Sequence, residues 1–177
     1  MKKNITIFGS ARFEDDNIYC KKAYELGKIL AKNGYSIVTG GGPGIMMAAN
    51  KGAYEIGGVE SIGINIKLPF EQVPNKFCTK TYIYDDLSLR KKALMESEII
   101  VIFPGGYGTL DEFFEVLTLT QTNLKKYKII LFDEKFYSSL VDFFKNVLLE
   151  HKAISSDSLD IFKIANTIDE ILEFIKE

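Results

Sequence analysis

The sequence lacks several features that mark specialised classes of protein. It contains no tryptophan, one histidine, two cysteines and four prolines among 177 residues. Cys20 and Cys78 form no CxxC pattern, and with a single histidine they predict no metal site. No apolar run approaches the roughly 20 residues of a membrane span, and the N-terminal Met-Lys-Lys is followed by no signal-peptide pattern. We therefore expect a cytoplasmic protein that has no membrane partner.

An excess of positive charge is also missing. The net charge is −2 and the pI is about 5.6, and the lysine pairs are dispersed among acidic residues. This balance argues against nucleic acid as a partner. Charged residues at 26% and hydrophobic residues at 46% are ordinary values for a globular protein. The length predicts one domain over residues 1–177.

Short β-type runs alternate with helical patterns along the chain. Strands are predicted at 4–8, 35–39, 59–66, 81–84, 99–103 and 128–132. Asp15 and Asp16 are the predicted N-cap candidates of the first helix. Residues 85–97 are predicted to form a helical element. Residues 67–79 are predicted to form an irregular loop that covers the functional site. Two helices follow the last predicted strand. The alternation predicts an α/β protein with a Rossmann-like, doubly wound parallel sheet and helices on both faces.

Three of the predicted strands end in small or polar residues. These ends are Gly9-Ser10, Gly40 to Gly44, and Gly105 to Thr109. The carboxyl ends of parallel strands share one edge of the sheet, where ligands bind, although each cluster could also be only a tight turn. The glycines match neither the P-loop pattern nor the dinucleotide fingerprint, so an NAD site is not expected.

Residues Pro104 to Glu112 read PGGYGTLDE and connect a buried strand to a helix. Backbone amides and the positive helix end at such a turn favour an anion. Glu112 and Glu115 lie three residues apart and share a helix face. A phosphate cradle beside a carboxylate pair suggests chemistry on a small phosphorylated molecule, whereas a glutamate in a first helical turn can also serve only the helix dipole.

Together with the segment Gly40 to Met46, which reads GGGPGIM, this motif resembles the LOG family. These proteins are cytokinin riboside 5′-monophosphate phosphoribohydrolases, and the resemblance covers nearly the whole chain. It implies a Rossmann-like homodimer without a cofactor that cleaves the N-glycosidic bond of adenine-type nucleoside 5′-monophosphates. It also implies catalytic roles for Arg90 and Glu112. The 5′-phosphate would bind to Gly105, Gly106, Gly108 and Thr109.

Further substrate contacts are expected at the same edge, and each has a plainer alternative. The candidates are Ser10, Gly41, Gly42, Met46, Lys91 and Glu115. Ser10 could instead cap its loop, Met46 could belong to the core, and Glu115 could be solvated. Arg90 stands about one residue closer to Pro104 than in the family pattern, and one residue is about 100° of helix rotation. We therefore expect a local irregularity in the helix that turns the Arg90 side chain back toward the site.

Two other functions are compatible with a phosphate turn. Molybdenum-cofactor carrier proteins resemble this chain and would make it a non-catalytic binder of a phosphorylated cofactor. A pyridoxal-phosphate lysine decarboxylase is disfavoured, because no lysine is placed as a Schiff-base candidate. The apolar residues Phe113, Phe114, Val116 and Leu117 form either a dimer face or part of the core.

Overall fold

The computed structural model describes residues 3–69 and 73–177, which form a parallel sheet flanked by helices. The strands are β1 (Asn4–Phe8), β2 (Ser36–Thr39), β3 (Ser61–Ile66), β4 (Lys80–Tyr84), β5 (Ile99–Ile102), β6 (Lys128–Phe132) and β7 (Phe162–Ala165). The helices are α1 (Ile18–Lys32), α2 (Ile45–Ile56), α3 (Leu87–Leu94), α4 (Tyr107–Gln121), α5 (Glu134–Phe143) and α6 (Ile168–Lys176). Helix α5 continues into a π-helical segment at Phe144–Leu149, and a short 3₁₀ helix lies at Ser156–Leu159.

The strand order places the predicted ligand edge at a topological switch point. The order is β4-β3-β2-β1-β5-β6-β7, and every neighbouring pair is parallel. The chain winds away from β1 in opposite directions, toward β2 on one side and β5 on the other. Beyond β1 and β5, the Ser10 amide donates to the Pro104 carbonyl at 3.0 Å. The fold class predicted from the sequence is confirmed.

Two apolar layers cover the sheet. Helices α1, α2 and α6 pack on one face through residues such as Leu26, Ala49 and Ile171. Helices α3, α4 and α5 pack on the other face, where Leu94 and Phe113 are fully buried. Among the described residues, none of the helices combines the length and apolarity that crossing a membrane requires.

The structure corrects several boundaries that we predicted. The N-cap of α1 is Asn17, whose side-chain oxygen accepts from the Tyr19 amide at 2.8 Å, so the prediction of Asp15 or Asp16 is wrong. Strand β7 was not predicted, because its four residues follow a 3₁₀ helix and show no clear alternation. Helix α3 is shorter than the predicted 85–97. Residues 70–72 of the predicted loop at 67–79 lie outside the described residues.

Candidate active site

The turn between β5 and α4 presents unused backbone amides at the carboxyl edge of the sheet. Gly106 is the N-cap of α4, and the first helical hydrogen bond runs from the Leu110 amide to the Gly106 carbonyl at 3.0 Å. In the part of the chain that the structure describes, the amides of residues 107–109 donate to no protein acceptor. Gly106 and Gly108 are exposed to solvent. Free amides at the positive end of a helix form a ready site for an anion.

Buried contacts hold this turn in place. The Tyr137 hydroxyl donates to the Phe103 carbonyl at 2.8 Å, and burial raises the pKa of that tyrosine. Thr109 is buried and packs so closely on Gly105 that a side chain at position 105 would collide with it. The structure therefore brings together all four residues that we expected to bind phosphate, Gly105, Gly106, Gly108 and Thr109.

Arg90 and Glu112 meet one helical turn beyond the open amides. The Arg90 Nη1 lies 3.4 Å from the Glu112 Oε1, and the two side chains are only 13% and 12% exposed. The Arg90 Nε also donates to the Ile64 carbonyl at 2.9 Å, which fixes the guanidinium against the end of β3. Helix α3 ends at Leu94, and residues 95–98 form a turn before β5, so the irregularity that we expected stays a prediction. Despite the shortened spacing, the arginine points at the glutamate.

The close approach of Arg90 to β2 depends on the absence of a side chain at Gly40. A Cβ placed on Gly40 would collide with the Arg90 guanidinium and would lie 2.7 Å from the Met46 sulfur. Met46 is half-buried at the start of α2. Met46 and Arg90 thus lie side by side next to β2, and our expectation that Met46 contacts substrate stays a prediction.

The environment of Glu112 alters its protonation. Burial raises the pKa of Glu112 from 4.5 to about 7, and the positive charge of Arg90 opposes that increase only in part. Burial also lowers the pKa of Arg90, although the guanidinium stays protonated. A carboxyl group with a pKa near neutrality can both accept and donate a proton.

Lys91 and Glu115 form an ion pair with each other. The Lys91 Nζ lies 2.6 Å from the Glu115 Oε2 and 3.1 Å from the Asp111 Oδ2. These contacts join α3 to α4 beside the Arg90–Glu112 pair. Lys91 and Glu115 therefore sit where they position the catalytic candidates, and our expectation that they contact substrate stays a prediction.

The other glycine turn, after β2, is filled by protein groups. The Gly41 carbonyl accepts from the Asn75 amide at 2.9 Å, and the Gly42 carbonyl accepts from the Asn75 side chain at 3.2 Å. The Asn65 side chain also donates to the Gly41 carbonyl at 3.4 Å. Gly41, Gly42 and both asparagines are buried. We did not predict Asn65 or Asn75, because neither stands in a recognisable motif.

The predicted candidate Ser10 and the buried Asn50 also have internal partners. The Ser10 hydroxyl oxygen accepts from the Arg12 amide at 3.0 Å, which is the loop-capping alternative. Asn50 is fully buried, accepts from the Thr39 hydroxyl at 2.6 Å and donates to the Ser61 hydroxyl at 2.9 Å. The Asn75 side chain donates to Asn50 at 3.1 Å. Asn50 thus joins α2 to β2, β3 and the loop. A lone asparagine among the apolar residues of α2 was the one signal of this network in the sequence.

Fold and site together define a doubly wound α/β protein with an open helix N-terminus and an Arg–Glu pair at its switch point. The family described as "Possible lysine decarboxylase" matches residues 46–175. That match covers most of the chain, which therefore belongs to this family, the LOG family.

Comparisons with individual proteins agree with this assignment. The chain is 29% identical over 178 residues to a probable cytokinin riboside 5′-monophosphate phosphoribohydrolase of Oryza sativa subsp. japonica, covering 97% of this chain and 69% of the relative. It is 29% identical over 154 residues to a cytokinin riboside 5′-monophosphate phosphoribohydrolase of Rhodococcoides fascians, covering 84% and 77%. Among solved structures, the molybdenum cofactor binding protein of Rippkaea orientalis has a TM-score of 0.70 at 24% identity, with 99% and 96% of the two chains covered. The last likeness shows the fold alone.

Proposed function

We propose that the protein is a phosphoribohydrolase that cleaves the N-glycosidic bond of an adenine-type nucleoside 5′-monophosphate. The products would be free base and ribose 5-phosphate, and the substrate would be AMP or a cytokinin riboside 5′-monophosphate. The observation that carries the proposal is the buried Arg90–Glu112 pair, one helical turn from amides that are free to hold a phosphate. The names of the relatives in rice and Rhodococcoides fascians support the same reaction.

The free amides of residues 107–109 and the Thr109 hydroxyl would hold the 5′-phosphate. The ribose then extends along the first turns of α4 toward Glu112. As the bond from C1′ to the base nitrogen breaks, the electron pair leaves with the base and positive charge develops on the sugar. The Glu112 carboxylate stabilises that charge and accepts a proton from the water that adds to C1′. The departing base takes up a proton from solvent, and Glu112 releases its own proton to solvent, which restores the carboxylate. The Arg90 guanidinium offers hydrogen bonds to the substrate and keeps part of the glutamate population ionised.

A carrier of a phosphorylated cofactor would use the same amides but would have no need of a buried carboxyl group. Burial of an ionisable group costs free energy, and the raised pKa of Glu112 reflects that cost. Perturbed carboxyl groups cluster at catalytic sites. We therefore prefer the hydrolase, and the carrier remains an outcome that the experiment below distinguishes.

The test is incubation of the purified protein with AMP and, separately, with a prenyladenosine monophosphate, followed by chromatography of the released base. We expect release from at least one substrate. Glu112→Gln should lower kcat by about 100-fold or more while nucleotide binding persists. Glu173→Gln, on the exposed side of α6, is the matched control and should keep full activity. A fully active Glu112→Gln variant would refute the mechanism, and binding without release by the unaltered protein would favour the carrier.

We also propose a homodimer, on the resemblance to the LOG family. The α4 residues considered for its interface do not form one surface, because Phe113 and Val116 are fully buried in the core, whereas Phe114 is 42% exposed. Light scattering of the purified protein across a concentration series tests the dimer. A monomer at every concentration would rule it out.

A further inference from the structure

A second cleft lies away from the Arg90–Glu112 pair. It has a volume of about 450 Å³. It is bounded by the first half of α1, by α2 and by residues 76–77, which lie between β3 and β4. Ligand clefts generally have volumes of about 300–1,000 Å³. None of the residues that line this cleft belongs to the turn at 105–109 or to α3 and α4. A ligand in this cleft would therefore not occupy the proposed catalytic site.

The cleft carries an excess of positive charge. Lys21, Lys51 and Lys76 line it, and among residues 3–69 and 73–177 none of these ammonium groups forms an ion pair. Among the lining residues that the structure describes, Asp15 is the only acidic one. Lys21 lies in the first turn of α1, and α2 begins at the same edge of the sheet, so the positive ends of two helix dipoles add to the lysines. The local charge favours a polyanionic ligand.

Two aromatic rings form the other part of the lining. The Lys51 Nζ lies 5.8 Å from the centre of the Tyr24 ring and 5.4 Å from that of Phe77, and the Lys76 Nζ lies 5.3 Å from Phe77. The Tyr24 hydroxyl donates to Glu55 at 2.5 Å, and the edge of Tyr54 packs on Phe77. Both rings are therefore held in place before a ligand arrives, which lowers the entropic cost of binding.

We propose that this cleft binds a nucleoside diphosphate. The three lysines bind the two phosphate groups, and the Lys51 and Lys76 ammonium groups move from the aromatic rings to the phosphates. The base then packs against Tyr24 and Phe77 in their place. Phosphate alone would leave the rings unused, and an uncharged nucleoside would leave the lysines without an anion. The proposal depends on residues that the proposed hydrolysis does not use, so either one can fail without the other.

The test is calorimetric titration of the full chain with ADP, and with adenosine and pyrophosphate as partial ligands. To remove any contribution from the catalytic turn, the titration is repeated with Gly108→Asp, which places a carboxylate beside the free amides. We expect ADP to bind the Gly108→Asp variant at one equivalent, more tightly than either partial ligand does. Lys51→Glu and Lys76→Glu should each weaken that binding by about tenfold or more.

Lys145→Glu is the matched control, since Lys145 is an exposed lysine in the π-helical segment and lies outside both sites. It should bind ADP as the unaltered protein does. Lys76 lies outside the helices and strands, so Lys76→Glu still tests binding to the cleft if Lys51→Glu disturbs the folding of α2. The proposal is overturned if ADP binds equally well to both lysine variants, or if Gly108→Asp abolishes all ADP binding. It is also overturned if a single-stranded oligonucleotide binds to the lysines and ADP does not.

Discussion

The two glycine-rich turns at the carboxyl edge of the sheet look alike in the sequence but differ in their hydrogen bonding. After β2, the carbonyls of Gly41 and Gly42 are occupied by asparagine side chains and amides, and the turn is buried. After β5, the amides of residues 107–109 are free, and the glycines at 106 and 108 face solvent. Among the described residues, amides without a protein acceptor occur at both turns, but the first turn is buried and the second faces solvent. We therefore infer that the second turn is the one available to a ligand. Glycine content alone does not distinguish the two roles.

The largest effect that separates the turns is expected at Gly108. A Cβ there meets no atom within 4 Å, so the fold accommodates a side chain. Gly108→Asp places a negative charge among the free amides, where it favours the helix dipole but repels a phosphate. We expect kcat/KM for the nucleotide to fall by about 100-fold or more, whereas Gly108→Ala should stay within about tenfold of the unaltered protein. Steady-state kinetics of both variants measure this, and equal activity would show that the phosphate binds elsewhere.

A smaller effect, on stability rather than activity, is expected at Gly41. Its φ is +70°, and an added Cβ would lie 3.0 Å from the Gly63 Cα and 3.1 Å from the Asn65 side chain. Gly41→Ala should lower the free energy of unfolding by about 2–3 kcal/mol, from backbone strain and crowding together. Gly108→Ala is the matched control and should change it by less than about 1 kcal/mol, because alanine is favourable within a helix.

Urea titration of the two alanine variants provides the measurement. If both lose the same stability, the distinction between a supporting turn and an open turn is wrong. If Gly41→Ala alone is destabilised, the first turn is a tightly packed structural element and the second is not.

Much of the fold follows from the sequence because its signals are local. Alternating apolar runs and helical spacing predict the strand and helix order, and the rule for parallel sheets then places three glycine clusters at one edge. The errors fall where local signals are weak. The acidic residues at 15 and 16 and Asn17 are all good caps, and only the backbone geometry shows that Asn17 caps α1. Strand β7 depends on pairing with β6 more than on its own four residues.

The site is less predictable because it depends on contacts between distant segments. The meeting of Arg90 with Glu112 requires both α3 and α4 to pack on the same face, which the strand order determines. Asn75 comes from an irregular loop and has no motif to mark it, yet it holds the first glycine turn. The pKa of Glu112 depends on its burial and on the nearby charge of Arg90, and both follow from three-dimensional packing.

The smallest of these effects is a pH dependence, which distinguishes the ionisable Glu112 from the uncharged groups of the first turn. The folded protein binds a proton at Glu112 more tightly than the unfolded chain does, because the pKa rises from 4.5 to about 7 on folding. The stabilisation from protonation is therefore fully present below the unfolded pKa and is lost as pH rises through about 7. Between pH 5 and pH 8 this should lower the free energy of unfolding by about 2 kcal/mol.

Glu112→Gln removes the ionisable group, so the stability of this variant should fall less over that range. Urea titrations at both pH values compare the variant with the unaltered protein and with Glu173→Gln, which should retain the full decrease. Identical pH dependence in all three proteins would mean that Glu112 has an ordinary pKa, because the charge of Arg90 cancels the effect of burial.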